Sequence, residues 1–248
     1  MSVEFLRRDG FPALAYLRTK GENPSLPTVV FLSGFRSDMT GTKAESLAQA
    51  CTGRGQEFVR FDYSGHGQSG GAFTDGTIGS WLEDALAVID TLTKGPLIVI
   101  GSSMGGWLAL RVALLRKDRV KGLIGLAAAP DFTRDIPALM TQAQKEELES
   151  KGYFTEANEY DSDYIFTKTL LEEGEAHCML DGRIAIDCPV RLIQGMKDAD
   201  VPWQTAHRIA NALTTQDKKV YLREEGTHRL SCEEDLALLD RLVVELSA

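Results

Sequence analysis

The amino-acid sequence predicts an α/β protein built on a mostly parallel, eight-stranded sheet with helices on both faces. Short runs rich in Val, Ile and Leu alternate with helical patterns along most of the 248 residues. Such near-continuous apolar runs are typical of parallel strands that are buried on both faces. The length suits one large domain that carries an insertion.

The elements follow one another in a simple order. The first two strands, in VEFLRR and PALAYLRT, are expected to form an antiparallel hairpin at one edge of the sheet. Six further strands are predicted in PTVVFLSG, QEFVRF, PLIVIGSS, VKGLIGLAAAP, CPVRLIQG and KKVYLREEG. Helices are predicted in GTKAESLAQACTGRG, GSWLEDALAVIDTLTKG, MGGWLALRVALLRK, PWQTAHRIANALT and CEEDLALLDRLVVELS. Capping-box spacing at Thr42 and Glu45, and again at Ser80 and Glu83, predicts where the first two helices begin.

The domain organisation is predicted from a break in this alternation. Residues 1–130 and 188–248 are expected to form the core domain, and residues 131–187 a helical insertion. The insertion shows helical patterns in PALMTQAQKEELESKG and DSDYIFTKTLLEEGE and no convincing strand. We interpret it as a candidate lid; the alternative is a long crossover connection with no functional role.

Composition excludes several classes of function. A net charge of -9 and an isoelectric point near 5.0 argue against nucleic-acid binding. No pair of cysteines has C-x-x-C spacing, so neither a zinc site nor a redox motif is predicted, and the thiols are expected to be reduced and mostly buried. The N-terminal segment has no targeting pattern and the apolar runs are too short for a membrane anchor, which predicts a cytoplasmic protein. The oligomeric state is left open.

The stretch from Gly101 to Gly105 fits the pattern G-x-S-x-G, with Ser103 at its centre. It follows a predicted strand and opens a predicted helix, which is the context that a nucleophile at a sharp turn requires. Small neighbours allow such a strained turn, and the helix N-terminus favours negative charge next to the serine. Ser103 is therefore the candidate nucleophile. The alternative is a glycine-rich helix start.

A serine nucleophile needs a general base, and the chain has four histidines. His66 precedes the serine and is expected to be structural. His177 falls in the insertion, and His207 lies within a helical pattern that suits packing. His228, in EEGTHRLS, follows a strand and precedes the last helix, where such sheets place their sites. His228 is the candidate base.

The acid and the oxyanion donors are predicted on two other loops. Asp198 and Asp200 both lie in IQGMKDADVPW after a strand; Asp198 is favoured, and the other aspartate would cap the next helix. The backbone amides of Met104 and Phe35 are expected to form the oxyanion hole. Neither a metal nor an organic cofactor is expected.

These motifs resemble the α/β-hydrolase superfamily, in the order LSGF, DYSGHGQS, GSSMGG, GMKDADVP and GTH. A closer resemblance, through SGFRSDMTGTKA, RFDYSGHGQS, AEHCML and CPVRLIQGMKDADVPW, is to the family of the mitochondrial palmitoyl-protein thioesterase, which is also described as an acyl-glucuronide esterase. It covers essentially the whole chain and implies that Ser103, Asp198 and His228 are nucleophile, acid and base. Ser33-Gly34 departs from the commoner His-Gly or Pro-Gly.

The resemblance implies a serine hydrolase that forms an acyl-enzyme, with S-acylated proteins or acyl glucuronides as substrates. A small-molecule carboxylesterase or lactonase is the enzymatic alternative, and a catalytically silent binding module is the non-enzymatic one. Apolar residues of the insertion are candidates for an acyl pocket, although packing within the insertion is favoured for most of them. They are Met140, Tyr153, Phe154, Tyr160, Tyr164 and Phe166.

Overall fold

The structure, a computed structural model, describes residues 2–157 and 163–248. Its strands are β1 (Glu4–Arg8), β2 (Phe11–Thr19), β3 (Thr28–Leu32), β4 (Phe58–Phe61), β5 (Leu97–Ser102), β6 (Val120–Leu126), β7 (Tyr153–Glu156), β8 (Tyr164–Thr167), β9 (Val190–Gly195) and β10 (Lys218–Arg223). Its α-helices are α1 (Thr42–Gly53), α2 (Ile78–Leu92), α3 (Met104–Leu115), α4 (Phe132–Leu139), α5 (Gln142–Lys151), α6 (Lys168–Gly174), α7 (Gln204–Ala212) and α8 (Glu233–Ser247).

Eight strands form one sheet in the order β1-β2-β4-β3-β5-β6-β9-β10. The hairpin of β1 and β2 is antiparallel and joins β4 in antiparallel register. All later neighbours, from β4 across to β10, are parallel. The predicted mostly parallel sheet with an antiparallel edge hairpin is confirmed. Because parallel strands end at the same edge, the loops after β3, β5, β9 and β10 meet there.

Helices cover both faces of this sheet and create two apolar layers. On one face, α1 and α8 pack against the inward side chains of β3, β5 and β6. On the other face, α2 and α3 place the fully buried Trp81 and Trp107 in a larger layer that also includes apolar residues of the insertion. The central strands are buried on both faces, which explains their unbroken apolar sequence.

Both predicted capping boxes are wrong. α1 has Gly41 at its N-cap and no side-chain cap, and Glu45 instead pairs with Arg60, 2.6 Å away. α2 begins a turn earlier than predicted, because Thr77 and Ser80 form the capping box. A serine hydroxyl replaces the expected glutamate as the group that reaches back to the N-cap amide, 2.8 Å away.

The insertion, residues 131–187, is not purely helical. β7 and β8 pair antiparallel, which corrects the prediction that the insertion lacks strands. Their sequences, YFTE and YIFT, are rich in aromatic and β-branched residues, which favour strands. The first predicted helix is divided into α4 and α5, because Thr141 caps a new helix. Gly152, in a left-handed conformation, then ends α5.

The structure also tests the expectations about the cysteine thiols and about membrane-spanning helices. All four cysteines are free thiols. Only Cys51 is fully buried and Cys232 is exposed, so the prediction of mostly buried thiols is only partly right. Within the described ranges, no helix combines the length and the hydropathy that crossing a bilayer requires.

Candidate active site

Ser103 lies at the turn between β5 and α3 in a strained backbone conformation. Its φ is 54° and its ψ is -119°, outside the regions that side-chain-bearing residues ordinarily adopt. The turn is tied to the end of β6, since the Ser103 amide donates to the Leu126 carbonyl at 2.9 Å. The Ala129 amide in turn donates to the Ser103 carbonyl at 3.1 Å. The strain is thus held by hydrogen bonds to a neighbouring strand end.

Two glycines make this turn sterically possible. A Cβ on Gly101 would lie 2.0 Å from the Gly105 carbonyl oxygen, and one on Gly105 would lie 2.1 Å from the Leu32 carbonyl oxygen. Both contacts are with backbone and cannot be relieved by a side-chain rotation. The G-x-S-x-G pattern therefore has a packing reason that is independent of chemistry.

His228 and Asp198 are brought together from the loops after β10 and β9. The Nδ1 atom of His228 lies 3.0 Å from Oδ2 and 3.1 Å from Oδ1 of Asp198. This geometry favours the neutral tautomer in which Nδ1 donates to the carboxylate, which leaves Nε2 as the acceptor. Asp200 is 3.9 Å from the same nitrogen and its side chain is 42% exposed, whereas that of Asp198 is 0% exposed.

The Asp198 carboxylate is surrounded by donors. Oδ1 accepts from the backbone amides of Asp200 and Val201, at 2.9 and 2.8 Å. Oδ2 accepts from the side-chain amide of Gln194 at 2.9 Å, and that same nitrogen also donates to the Val201 carbonyl. Gln194 was not among the site residues predicted from the sequence. Its position at the end of β9, four residues before Asp198, is the signal that could have found it.

The loop after β3 places Phe35 beside the turn. A Cβ on the preceding residue, Gly34, would lie 3.4 Å from both the Ser102 carbonyl oxygen and the Cβ of Ser103, so this loop passes close to the turn. Met104, on the other side, is the first residue of α3, which has no side-chain cap. The amides of the first helical turn have no partner within a helix, so that of Met104 is available as a donor.

His66 supports the loop after β3 through a hydrogen bond. The Arg36 amide, next to Phe35, donates to Nε2 of His66 at 3.2 Å, and Nδ1 lies 3.2 Å from the Ser64 carbonyl. Burial lowers the pKa of His66 to about 4, which keeps the ring neutral and Nε2 able to accept. The prediction that His66 is structural fits these contacts, but its support of the Phe35 loop was not foreseen.

Aromatic rings of the insertion close over Phe35. The Phe35 ring stacks on Phe166 of β8, with centroids 5.2 Å apart and planes 3° apart, and meets Tyr164 edge-on at 5.7 Å. Phe154 of β7 stacks on the far side of Phe166 at 5.2 Å. Of the other candidate pocket residues, Met140 is buried, Tyr153 is exposed, and Tyr160 lies outside the described residues.

Polar contacts also attach the insertion to the core. The Glu173 carboxylate accepts from the Gly79 amide in the first turn of α2, 3.2 Å away, where the helix dipole favours negative charge. His177 lies 2.6 Å from the same carboxylate through Nε2, and its carbonyl accepts from the Trp107 indole at 3.2 Å. His177 thus joins the insertion to the helices around the turn, away from Asp198. His207 is exposed on α7, with its ring against Trp203.

Residues 24–168 match the family described as serine aminopeptidase, S33. The chain belongs to this family of α/β hydrolases. Because the S33 family uses this fold for serine-based hydrolysis, the chain is a serine hydrolase, and the predicted α/β-hydrolase fold is confirmed. This assignment argues against the non-enzymatic alternative, a catalytically silent binding module.

Curated relatives resemble the chain over essentially its whole length. It is 40% identical to the mitochondrial palmitoyl-protein thioesterase ABHD10 of Mus musculus over 99% of this chain and 84% of that protein. The human counterpart is 38% identical over 99% of this chain and 81% of that protein. The resemblance stated from the motifs is confirmed. These relatives are named as mitochondrial, and the cytoplasmic location of this chain stays a prediction.

Solved structures agree with the family assignment. The mouse α/β hydrolase domain-containing protein 10 has a TM-score of 0.91 at 38% identity, covering 99% of this chain and 98% of that one. A putative hydrolase from Agrobacterium vitis S4 has a TM-score of 0.94 at 39% identity, with both chains fully covered. Est1E from Butyrivibrio proteoclasticus, at 22% identity and a TM-score of 0.81, shares the fold.

Proposed function

We propose that the chain hydrolyses acyl thioesters or carboxylic esters through Ser103, His228 and Asp198, with an acyl-enzyme intermediate. The observation that carries this proposal is the buried Asp198 carboxylate bonded to Nδ1 of His228, on the loops after β9 and β10, at the same edge of the sheet as the strained Ser103 turn after β5. This pairing leaves Nε2 of the imidazole unprotonated, which is the state a general base requires.

The reaction proceeds in two halves. Nε2 of His228 takes the proton of the Ser103 hydroxyl as its oxygen attacks the acyl carbon, and the C=O oxygen becomes an oxyanion. The amides of Phe35 and Met104 donate to that oxyanion. His228 then gives the proton to the departing thiolate or alkoxide. A water molecule repeats the attack on the acyl-enzyme, and Ser103 regains its proton. Asp198 holds the imidazole tautomer and stabilises its charged form.

An S-acylated protein or a related acyl thioester is the substrate class we favour. The relatives' name, palmitoyl-protein thioesterase, supports this class, as does the apolar character of the surface above the turn, where Phe35, Tyr164 and Phe166 meet. We interpret residues 131–187 as a lid that contributes to the part of the site where the acyl group binds. Acyl glucuronides remain a second acyl donor, as the resemblance implies.

A small-molecule carboxylesterase or lactonase is the second candidate function. It is favoured by the close stack of Phe35 on Phe166, which fills space between the loop after β3 and the insertion. A short acyl group needs no displacement of those rings, whereas a long chain does.

The decisive experiment compares kcat/KM for an S-palmitoyl cysteine peptide with that for a short-chain aryl ester. We expect the palmitoyl thioester to be preferred. Preference for the short ester would keep the chemistry and replace the thioesterase by a small-molecule esterase.

A parallel experiment tests the nucleophile. Ser103→Ala is expected to abolish turnover and fluorophosphonate labelling, while Ser102→Ala, at the neighbouring buried position, keeps labelling. Undiminished labelling of the folded Ser103→Ala protein would contradict the assignment of the nucleophile.

A further inference from the structure

A cavity of about 340 Å³ lies away from the Ser103 turn, between α3 and the end of the insertion. Arg111 and Leu114 line it from α3, and the insertion contributes Cys178, Met179 and residues 181–185. The volume falls in the range of small-molecule sites, which begins at about 300 Å³. The cavity is therefore large enough for a ligand rather than for a single water molecule.

Two arginines face this cavity without anionic partners. The Nε–H of Arg111 is buried and has no hydrogen-bond acceptor. Arg183 is exposed at the rim, and neither guanidinium forms an ion pair with any described residue. A guanidinium that has no carboxylate partner within the protein can bind carboxylate and phosphate oxygens in a forked geometry. The pair is suited to an incoming oxyanion.

Asp181, also at the cavity wall, does not neutralise these arginines. Its carboxylate pairs with Arg134 of α4, which also binds Glu175. The remaining wall includes apolar side chains of Leu114, Met179 and Ile184. The cavity thus combines an unpaired positive side with an apolar side.

We propose that this cavity is a binding site for a small organic anion that combines a phosphate or carboxylate group with an apolar body. The oxyanion binds Arg111 and Arg183, and the body packs against Leu114 and Ile184. The site does not depend on the proposed hydrolysis, because Arg111 follows Ser103 by eight residues, about 12 Å along the axis of α3.

The position of the cavity also predicts a consequence of binding. Trp107 lies one helical turn before Arg111 and donates to the His177 carbonyl. The segment after His177 forms the cavity wall, so a ligand there contacts the connection between insertion and core. We expect occupancy to stabilise the folded protein, by linkage.

Isothermal titration calorimetry in a phosphate-free buffer tests the proposal. Phenyl phosphate and benzoate are the probes, and phenol and inorganic phosphate are the controls that lack one half of the ligand. Saturable binding of at least one probe, at least tenfold tighter than either control, is expected. The tighter of the two probes identifies the oxyanion. No saturable binding of either probe overturns the proposal.

Variants locate the binding. Arg111→Gln and the exposed Arg183→Gln should each weaken binding at least tenfold, whereas Arg7→Gln, with the same charge change on the distant β1, should not. Arg183→Gln keeps the test decisive if Arg111→Gln fails to fold. Ser103→Ala should bind like the wild type. Wild-type affinity in Arg183→Gln, or loss of binding in Ser103→Ala, would overturn the proposal.

Discussion

Two regions near the Ser103 turn are held in different ways. One consists of the loops that carry Asp198 and His228, and the other is the insertion that covers Phe35. Asp198 is fully buried and its two oxygens accept from backbone amides and from a buried glutamine. The insertion meets Phe35 through ring faces and edges, and its polar contacts with α2 and α3 are made by Glu173 and His177.

Because of this difference, one region is expected to control the rate of the reaction and the other the choice of substrate. Directional hydrogen bonds fix the imidazole to within a narrow range of orientations, which catalysis requires. Ring contacts are less directional than these hydrogen bonds, because much of their energy comes from apolar burial, and they tolerate sliding and repacking. We therefore expect changes around Asp198 to alter the rate for all substrates alike, and changes around Phe166 to alter the choice among substrates.

The largest expected effect is that of Asp198→Asn. An asparagine would favour the wrong imidazole tautomer, so kcat should fall by roughly 10³ to 10⁴. The exposed Asp200→Asn is the matched control and should keep kcat within a few-fold of the wild type. Equal losses in the two variants, measured on a short ester, would mean that Asp200 shares the role of the acid.

The second prediction concerns His66 and acid stability. Burial lowers its pKa to about 4 in the folded chain from the ordinary value of 6.5, so the unfolded chain binds a proton first as the pH falls. Above pH 6.5 the neutral His66 ring therefore contributes roughly 3 kcal/mol to the free energy of unfolding. This contribution is lost progressively as the pH falls to about 4.

Urea unfolding between pH 7 and pH 4 measures this loss. His66→Gln has no group that titrates there, so its free energy of unfolding should fall less steeply than that of the wild type. His207→Gln, at an exposed position on α7, serves as the control and should follow the wild type. Parallel curves for wild type and His66→Gln would contradict the prediction.

Gln194→Leu is expected to reduce kcat by about 10- to 100-fold, since a hydrogen bond to a charged acceptor contributes about 1.5 to 3 kcal/mol. Gln194 positions Asp198 and does not touch substrate, so KM should stay nearly constant. The pH profile of kcat should shift as well, because the carboxylate that stabilises the imidazolium loses a donor. A stability loss with an unchanged profile would indicate a purely structural residue.

The smallest expected effect is that of Phe166→Leu. A smaller side chain beside Phe35 should raise the ratio of kcat/KM for long against short acyl groups by about tenfold, equivalent to about 1.4 kcal/mol. Phe154→Leu, one ring further from Phe35, is the matched control for loss of packing. The same ratio in both variants would show that the stack does not determine acyl length.

Local patterns in the sequence predicted the strands of the main sheet because each is a buried apolar run with its own turn signals. The capping boxes were wrong because the choice of N-cap depends on tertiary partners: Arg60 attracts Glu45, and Ser80 takes the role of a glutamate. β7 and β8 were missed because four-residue strands that pair only with each other leave little periodicity.

The candidate site likewise divides into features that local sequence patterns predict and features that depend on tertiary contacts. The chain order of Ser103, Asp198 and His228 and the loops that carry them could be predicted, while the roles of these residues stay a prediction. The contacts of His66 with Arg36 and of Gln194 with Asp198 join residues whose side-chain orientations only the fold determines. Likewise, the stack of Phe35 on Phe166 depends on how the insertion packs.

The path of the chain into and out of the insertion has an evolutionary consequence. The insertion leaves the sheet after β6 and returns at β9, which is the hydrogen-bonded neighbour of β6. Because these two strands are parallel and Leu126 pairs with Ile193, the segment between them starts at the carboxyl edge of the sheet and ends at the amino edge. A segment that connects two adjacent strands of one sheet can be exchanged as a cassette between homologues, which would allow new substrate preferences to arise by recombination while the hydrolytic machinery is inherited unchanged.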